Sequence, residues 1–271
     1  MTVLERRVTL KSQRQIEQMA VAGRLVADVL DRLGEMLAPG VTTLELDDVA
    51  QALIRERGGV PSFIGVPGPR SSYRHALCVS IDEQIVHGIP GKRRLAAGQI
   101  VSIDAGAIVD GWHGDSARTW VIGVVPPAAR TLVAATREAL LAGIAAAQPG
   151  NHMGDISAAV EDVALKHGYG IVRTHVGHGI GTEMHEAPQV ENYRTGRPGR
   201  RLEPGLCLAI EPMFTMGSGD TRLLDDVWTI VAADGSLAAH WEHSIAITED
   251  GPRILTTNVA AGESLPESTI T

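Results

Sequence analysis

The stretch of residues 100–120 holds three aspartates, and two of them, Asp104 and Asp115, lie among apolar and small residues. Asp110 and Gly111 divide this stretch, and Asp-Gly between two apolar, β-branched runs predicts a hairpin with a two-residue type I′ turn. In the resulting register, Asp115 lies opposite the residue two places beyond Asp104, on the same face of the sheet. The two carboxylates are then diagonal neighbours, with Cβ atoms roughly 7 to 8 Å apart. Because two such charges repel unless a cation lies between them, the spacing predicts a metal site.

The composition limits the partners and the compartment. The 271 residues carry a formal net charge of -8, and without a basic stripe we expect no nucleic-acid partner. Two cysteines, Cys78 and Cys207, lie in apolar runs, which favours reduced thiols and a cytoplasmic location. We recognise no secretion signal and no apolar run of membrane-spanning length, so no membrane partner is expected. The dense basic run is interpreted as a solvated loop and comprises Arg194, Arg197, Arg200 and Arg201.

Four helices are predicted in two pairs, one pair before the hairpin and one after it. Ser12 and Gln15 are spaced as a capping box that begins the first helix, and the second begins at Thr43. The third helix opens after Pro126, and Asp155 is the predicted N-cap of the fourth. The Pro-Gly, loop, helix and Gly layout of the first pair recurs 110 residues later. The recurrence indicates an internal repeat.

The strands repeat as well. Residues 95–104 resemble residues 202–211, which lie 107 positions further on, and each segment is an apolar strand that ends in an acid. The acid is Asp104 in the first copy and Glu211 in the second. If Asp104 binds a metal ion, the repeat therefore predicts Glu211 as its counterpart.

A shorter similarity relates residues 86–89, around His87, to residues 177–180, around His178. Together the repeats predict one α+β domain, residues 1–271, with pseudo-symmetric halves at about 12–122 and 126–250. The site is expected where the central strands of the halves meet.

A fourth acid, Glu242, lies in residues 239–247, which we interpret as one strand after an Asp-Gly turn. Alternation along this strand places Glu242 and His243 on opposite faces, so they cannot bind the same ion. His185 and Glu186 match the first two residues of the helical HExxH zinc motif, but position 189 does not hold the second histidine. That class of zinc protease is therefore excluded.

Several motifs occur together over residues 16–254. They are the HGIP run at 87–90, Asp104 and Asp115 eleven residues apart, GHGIG at 177–181, HEAP at 185–188, IEPM at 210–213 and WEH at 241–243. Taken together, these motifs resemble those of type I methionine aminopeptidases. The resemblance implies an α+β pita-bread fold, in which two pseudo-symmetric halves form a central antiparallel sheet covered by helices.

The resemblance implies two divalent metal ions and five ligands. Asp104 would bind the first ion, Asp115 and Glu242 would bridge both, and His178 and Glu211 would bind the second. Four carboxylates with one imidazole suit Co, Mn, Fe or Zn, and the sequence does not select among them.

The resemblance also implies catalytic and substrate-binding roles. Glu211 would accept a proton from the attacking water. His87 would contact substrate beside the scissile nitrogen, and His185 would lie near the carbonyl oxygen and stabilise the developing oxyanion. The implied function is removal of the initiator methionine from nascent polypeptide N-termini, with the ribosome surface as a further partner and a monomeric state.

An apolar pocket for the methionine side chain is expected from Phe63, Cys78, Met184 and Trp228. Here the chain departs from the family. Residues 65–69 replace a Gly-Tyr-x-Gly-Tyr-Pro run, the following loop is longer, and Met184 stands where an aromatic residue is common. These changes leave the side-chain selectivity of the pocket open.

Two alternative functions remain from the sequence. One is a proline-specific aminopeptidase or dipeptidase of the same fold, although such enzymes usually carry a large extra N-terminal domain. The other is a pita-bread binding module without catalysis, against which the presence of all five ligand types argues. Peptides that begin with Met or contain proline would discriminate these functions.

Overall fold

The computed structural model describes residues 8–68 and 70–258, and this part of the chain contains four α-helices. None of these helices combines the length and apolar character that a bilayer crossing requires. The helices are α1 (Gln13–Met36), α2 (Thr43–Glu56), α3 (Pro127–Ala146) and α4 (Met153–His167).

The predicted helix starts hold with one correction. Ser12 and Gln15 form the expected capping box at α1, and Thr42 and Glu45 form an equivalent one at α2. Asp155 was expected to be the N-cap of α4, but this was wrong. The N-cap is His152, three residues earlier, and the Asp155 carboxylate reaches back to accept a hydrogen bond from its backbone N–H at 2.7 Å.

Fifteen short strands make up the remaining regular structure of the described residues. They are β1 (Val60–Pro61), β2 (Leu77–Ile81), β3 (Gln84–Val86), β4 (Ile100–Val109), β5 (Trp112–Val121), β6 (Gly170–Ile171), β7 (Gly177–Gly179), β8 (Glu186–Val190), β9 (Cys207–Ile210), β10 (Met213–Thr215), β11 (Thr221–Leu223), β12 (Ile230–Ala232), β13 (Ala238–His240), β14 (His243–Thr248) and β15 (Gly251–Ile254).

The strands form four antiparallel sheets. In the first, β4 pairs with β5 and with both β1 and β2. The second large sheet has the order β15-β14-β9-β7-β8. Two three-stranded sheets, β13-β10-β6 and β11-β12-β3, complete the set. The helices α1 and α2 share one apolar core with β2 and β4, and α3 and α4 share another with β9 and β14.

The hairpin of β4 and β5 has the register that the sequence predicts. Asp110 and Gly111 have φ angles of 49° and 80°, as a type I′ turn requires at both central positions. Asp115 pairs with Gly106, so it is the diagonal neighbour of Asp104. Two charged side chains are thereby fixed on one face of a long, otherwise apolar hairpin.

The prediction of one continuous strand over residues 239–247 was wrong in one respect, because the strand is broken at Trp241 and Glu242. The N-terminal part pairs with β10 as β13, whereas the C-terminal part pairs with β9 as β14. At the break, the Trp241 N–H donates to Pro212 O and the Glu242 N–H donates to Ala117 O. Alternation of residue types cannot reveal such a change of partner strand.

Hydrogen bonds from β5 fix the position of the broken segment. Ser116 Oγ donates to the carbonyl oxygen of Glu242 at 2.6 Å, and Ser244 Oγ donates to that of Asp115 at 2.8 Å. The Asp115 N–H in turn donates to Ser244 Oγ at 3.1 Å. These bonds join the two large sheets and hold Asp115 and Glu242 side by side.

Close packing of α1 on β5 stabilises the hairpin from the other side. At Gly114 an added Cβ atom would lie only 2.7 Å from the backbone nitrogen of Gly23 in α1. The two backbones can approach this closely only because Gly114 lacks a side chain. The hairpin is thus held between α1 and the second half of the chain.

The similarity between residues 86–89 and 177–180 does not reflect equivalent places in the sheets. His178 pairs with Ala209, which under the 107-residue repeat corresponds to Ser102, and Ser102 pairs with Ser80 on one side and Thr119 on the other. His87 pairs with neither strand position and follows β3, which lies in a different sheet. The division into one domain with two halves stays a prediction.

Candidate metal centre and substrate pocket

All five side chains predicted as metal ligands line one cavity. One oxygen each of Asp115 and Glu242 and one ring nitrogen of His178 lie within 4.8 Å of one another. Asp104 and Glu211 belong to the wall of the same cavity. The five reach it from separate segments: Asp104 from β4, Asp115 from β5, His178 from β7, Glu211 from the end of β9 and Glu242 from the break between β13 and β14.

The imidazole of His178 presents a lone pair to the carboxylates. Its Nδ1 atom lies 2.9 Å from the carbonyl oxygen of Gly179, which can only accept a hydrogen bond, so Nδ1 carries the proton. Its Nε2 atom lies 3.5 Å from Glu211 Oε1 and 3.9 Å from Asp115 Oδ2. Burial and the nearby His185 lower the pKa of His178 to about 3, so the ring is neutral at pH 7. A neutral imidazole oriented by a backbone carbonyl is typical of a metal ligand.

Four carboxyl groups face a space too dry to support their charges. Burial raises the pKa of Asp104 to about 7 and raises the pKa of Asp115, Glu211 and Glu242 well above ordinary values. Neighbouring carboxylates raise the pKa of Asp115, Glu211 and Glu242 further. Ionisation of all four groups therefore requires compensating positive charge.

The hydrogen bonds of these carboxyl groups also indicate that a cation would bind here. Asp104 Oδ1, Asp115 Oδ1 and Glu242 Oε1 are buried and have no hydrogen-bond partner among the described residues. Unpaired buried carboxylate oxygens are costly, and coordination to a cation would satisfy them. The donor set present here, four carboxylates and one imidazole, fits divalent metal ions.

The two histidines predicted to contact substrate line the same cavity. His185 is exposed at the mouth, and its ring packs edge-on against His178 with 4.4 Å between centroids. His87 is half-buried with a φ of 60°. Burial, together with the neighbouring His175 and His185, lowers the pKa of His87 to about 4, so the ring is neutral at pH 7. Their placement allows contact with a bound peptide, and their roles stay predictions.

The apolar side of the cavity contains the four predicted pocket residues and two that the sequence analysis missed. All six pack as one cluster, in which the four predicted members are Phe63, Cys78, Met184 and Trp228 and the two missed ones are Val66 and Tyr73.

Tyr73 is the more informative of the missed residues. Its ring meets Trp228 edge-on at a centroid distance of 4.9 Å, and its hydroxyl donates to Leu77 O at 2.9 Å. It is one of only three tyrosines in the chain and lies a few residues beyond the altered loop. This position was the signal that the sequence offered. An aromatic residue just beyond the altered run thus contributes to the pocket.

The altered loop lies against the indole of Trp228. At Gly68 an added Cβ atom would collide with the Trp228 ring, so the glycine backbone lies directly against the indole. Arg70 Nη1 donates to Asp225 O at 2.9 Å and fastens the loop to the segment before Trp228. Pro69, part of the predicted departure from the family pattern, lies outside the described residues.

His240 was interpreted as a packing residue, but it lies beside the centre. Its Nε2 atom is buried 3.8 Å from Glu211 Oε2 and lacks a hydrogen-bond partner among the described residues. Its place directly before the WEH motif was the available signal. His243, which the sequence analysis did not place among the ligands, has its Nδ1 atom 2.8 Å from Thr256 Oγ1.

Comparisons with known proteins identify the family of the chain. The model of metallopeptidase family M24 matches residues 17–249. Methionine aminopeptidase 1 of Mycobacterium tuberculosis (strain CDC 1551 / Oshkosh) is 47% identical over 258 residues, which cover 92% of this chain and 95% of that protein. The crystal structure of methionine aminopeptidase from Thermotoga maritima has a TM-score of 0.89 and 38% identity, covering 93% of this chain and all of that one.

A more distant structure shares only the fold. The Xaa-Pro dipeptidase from Bacillus anthracis has a TM-score of 0.73 at 22% identity and matches 92% of this chain but 62% of its own. The predicted pita-bread fold and the predicted family resemblance are confirmed. The chain belongs to metallopeptidase family M24 and, within it, to the methionine aminopeptidases.

Proposed function

We propose that this chain is a metal-dependent aminopeptidase that removes the N-terminal methionine from nascent polypeptides. One observation carries the proposal: a neutral imidazole and four carboxyl groups converge in a cavity whose other side is apolar and lined by aromatic residues. The polar side could hold cations and a free α-amino group, and the apolar side could hold an unbranched thioether chain.

The proposed cofactor is a pair of divalent cations. Asp104 would hold the first, Asp115 and Glu242 would bridge the two, and His178 with Glu211 would hold the second. Two such ions balance the four negative charges of these carboxylates. When bound, they would polarise the scissile carbonyl and lower the pKa of a water molecule towards about 7. Co, Mn, Fe and Zn all suit this donor set, so elemental analysis must identify the physiological metal.

Residues around the centre would position and activate the peptide. Glu211 enters the cavity from the end of β9 and would accept the proton of the attacking water. His185, at the mouth, would donate a hydrogen bond to the carbonyl oxygen as negative charge develops there. His87 would contact the scissile amide nitrogen. Each role is tested separately by substitution.

The pocket would select the first residue of the substrate by shape. Phe63, Tyr73 and Trp228 form aromatic walls, and Cys78 and Met184 add sulfur atoms that pack well against a thioether. Val66, which belongs to the altered loop, also packs against this cluster. A long unbranched side chain fits such a slot better than a β-branched one.

Peptide hydrolysis by the metal-loaded protein tests the proposal. We expect release of methionine from Met-Ala-Ser and no release from an Ala-Pro peptide, with loss of activity after chelation. Cleavage of the proline-linked peptide alone would instead identify a proline-specific enzyme of the same fold. Hydrolysis of neither peptide at any metal loading would favour a binding module.

Further proposals concern the setting of the reaction. We infer a single catalytic domain that acts as a monomer in the cytoplasm on nascent N-termini and uses its own surface for any ribosome contact. The acidic net charge of -8 supports the absence of a nucleic-acid-binding function. Sedimentation with purified ribosomes and size-exclusion chromatography with light scattering would test these proposals.

A further inference from the structure

The turn of residues 181–186 carries two side chains of the cavity, Met184 and His185. One carboxylate closes this turn: Glu186 Oε1 accepts hydrogen bonds from the backbone N–H groups of Thr182 at 3.0 Å and Glu183 at 3.3 Å. Thr182 and Glu183 themselves are exposed. The conformation of the turn therefore depends strongly on where the Glu186 side chain is held.

The N-terminal segment holds that carboxylate from behind. Lys11 Nζ contacts Glu186 Oε2 at 2.6 Å, and Thr9 Oγ1 donates to the same oxygen at 2.8 Å. Lys11 Nζ also donates to Thr9 Oγ1 at 2.7 Å. The Lys11 N–H donates to Gly205 O at 2.7 Å, which fixes the segment to the loop before β9. A continuous set of contacts thus runs from the loop before β9 to the turn.

This ion pair is buried, unlike the other lysine pair of the described residues. The side chains of Lys11 and Glu186 are 4% and 11% exposed, whereas those of Lys166 and Glu138 are 63% and 44% exposed. Burial would raise the pKa of Glu186, but the hydrogen bonds from Lys11 and Thr9 and the charge of Lys11 lower it below its usual value. The carboxylate therefore stays ionised at neutral pH and accepts hydrogen bonds from both sides.

The ion pair packs directly against the backbone of the turn. At Gly181, where the turn begins, an added Cβ atom would collide with Glu186 Oε1 and would lie 2.6 Å from Lys11 Cε. A buried ion pair gives little net stability compared with apolar residues of the same size, and its best-supported use is to specify one conformation. The conformation specified here is that of the turn.

We propose that Lys11 is a positioning residue for His185. Through Glu186 it holds the turn so that the His185 ring stays against His178, 4.4 Å away between centroids, at the mouth of the cavity. Lys11 itself touches neither substrate nor metal. The inference rests on the proposed function for its catalytic consequence, but the geometric part can be tested without turnover.

Substitution of Lys11 by methionine provides the first test. Lys11→Met should lower kcat on Met-Ala-Ser by about 10- to 100-fold, because a shift of about 1 Å at a catalytic group can cost 10²-fold. The KM value should change less than kcat. Lys11→Arg keeps the cation and should retain most of the wild-type kcat. The matched control is Arg253→Met, which removes an exposed ion pair between β15 and Glu17 of α1 and should leave kcat unchanged.

A second variant keeps the test decisive if Lys11→Met folds poorly. The double variant Lys11→Met/Glu186→Gln leaves no unpaired charge buried, and the glutamine oxygen can still accept from Thr182 and Glu183. It should fold and still show the loss of kcat. A wild-type kcat in this folded double variant would overturn the proposal.

Coupling to His185 separates positioning from general stability. In a His185→Ala background, Lys11→Met should have little further effect on kcat, because the group that it positions is already gone. An equal fold-loss in both backgrounds would overturn the proposal and indicate a structural role alone.

A spectroscopic measurement decides the geometry independently of activity. In histidine-labelled protein, the His185 imidazole resonance is identified by its loss in His185→Ala. It should shift or broaden in Lys11→Met and remain in place in Arg253→Met. An unchanged resonance in Lys11→Met would overturn the proposal. If wild-type protein does not cleave Met-Ala-Ser, the proposed function fails while this measurement still decides the positioning.

Discussion

The Nε2 atom of His178 lies 3.5 Å from Oε1 of Glu211, and the opposite ring nitrogen is fixed by its own neighbouring carbonyl. His178 lies in β7 and Glu211 directly follows β9, and the pairing of these two strands in the second large sheet makes the two side chains neighbours. A neutral imidazole and a carboxylate do not attract each other strongly, and a cation between them would stabilise the arrangement.

Removal of the single imidazole ligand is the first prediction. His178→Ala should lower kcat by more than about 100-fold, the upper end of the loss caused when only an outer partner of a ligand is removed. Bound metal per chain, measured by elemental analysis after gel filtration, should fall in parallel. His152→Ala, which changes an exposed histidine at the start of α4, is the control and should alter neither quantity. Full activity in His178→Ala would remove this residue from the ligand set.

The pH dependence of stability should report on His87. Its folded-state pKa is lowered from 6.5 to about 4, first by burial and then by His175 and His185. Since the unfolded chain takes up a proton below pH 6.5 and the folded chain does not, His87 must reduce stability as the pH falls from about 6.5 to about 4. The variant His87→Asn suits the φ of 60° and cannot titrate in this range. Its melting temperature should decline less over this interval than that of the wild type, and identical slopes would contradict the prediction.

Tyr73 should contribute to substrate binding through its ring and to stability through its hydroxyl. Tyr73→Phe removes the hydrogen bond to Leu77 O and should cost about 1 kcal/mol in the free energy of unfolding. Tyr73→Leu also loses the aromatic contact with Trp228 and should raise KM for Met-Ala-Ser by up to about tenfold, since such pairs contribute about 0.5–1.5 kcal/mol. Urea unfolding and steady-state kinetics measure the two effects. Equal KM values for the two variants would exclude the ring from the pocket.

The contact between the altered loop and Trp228 predicts the effect of replacing Gly68. Gly68→Ala places a methyl group into the indole ring and should displace either the loop or Trp228, with a fall in kcat/KM for Met-Ala-Ser. Gly91→Ala is the matched control, because an added Cβ atom there meets nothing within 4 Å. Trp fluorescence should change in the first variant and not in the second. Unaltered kinetics in Gly68→Ala would show that the loop does not shape the pocket.

Local sequence patterns were enough to predict the hairpin and the elements that it positions. Asp110 and Gly111 determine the register by their positive φ angles, and the register alone makes Asp104 and Asp115 neighbours. The capping box at Ser12 is equally local. Such signals succeed because the backbone conformation depends on residues only a few positions apart.

Features that depend on partner strands escaped prediction. The break at Trp241 and Glu242 exists because the chain exchanges β10 for β9, which no alternation pattern records. The likeness between the His87 and His178 segments was misleading for the same reason, since His178 lies in β7 and His87 follows β3 in a different sheet. Tyr73 reaches the cavity and His240 reaches Glu211 through tertiary packing, so their residue types alone did not identify them.

The central claim is that five side chains from separate segments bind two divalent cations in one cluster. Diffraction from crystals of metal-loaded protein, recorded at the absorption edge of the added metal, tests it most directly. We predict two anomalous peaks in the cavity, with oxygen or nitrogen atoms of Asp104, Asp115, His178, Glu211 and Glu242 at about 2.0–2.2 Å from them. Absence of a peak among these side chains at saturating metal would contradict the account.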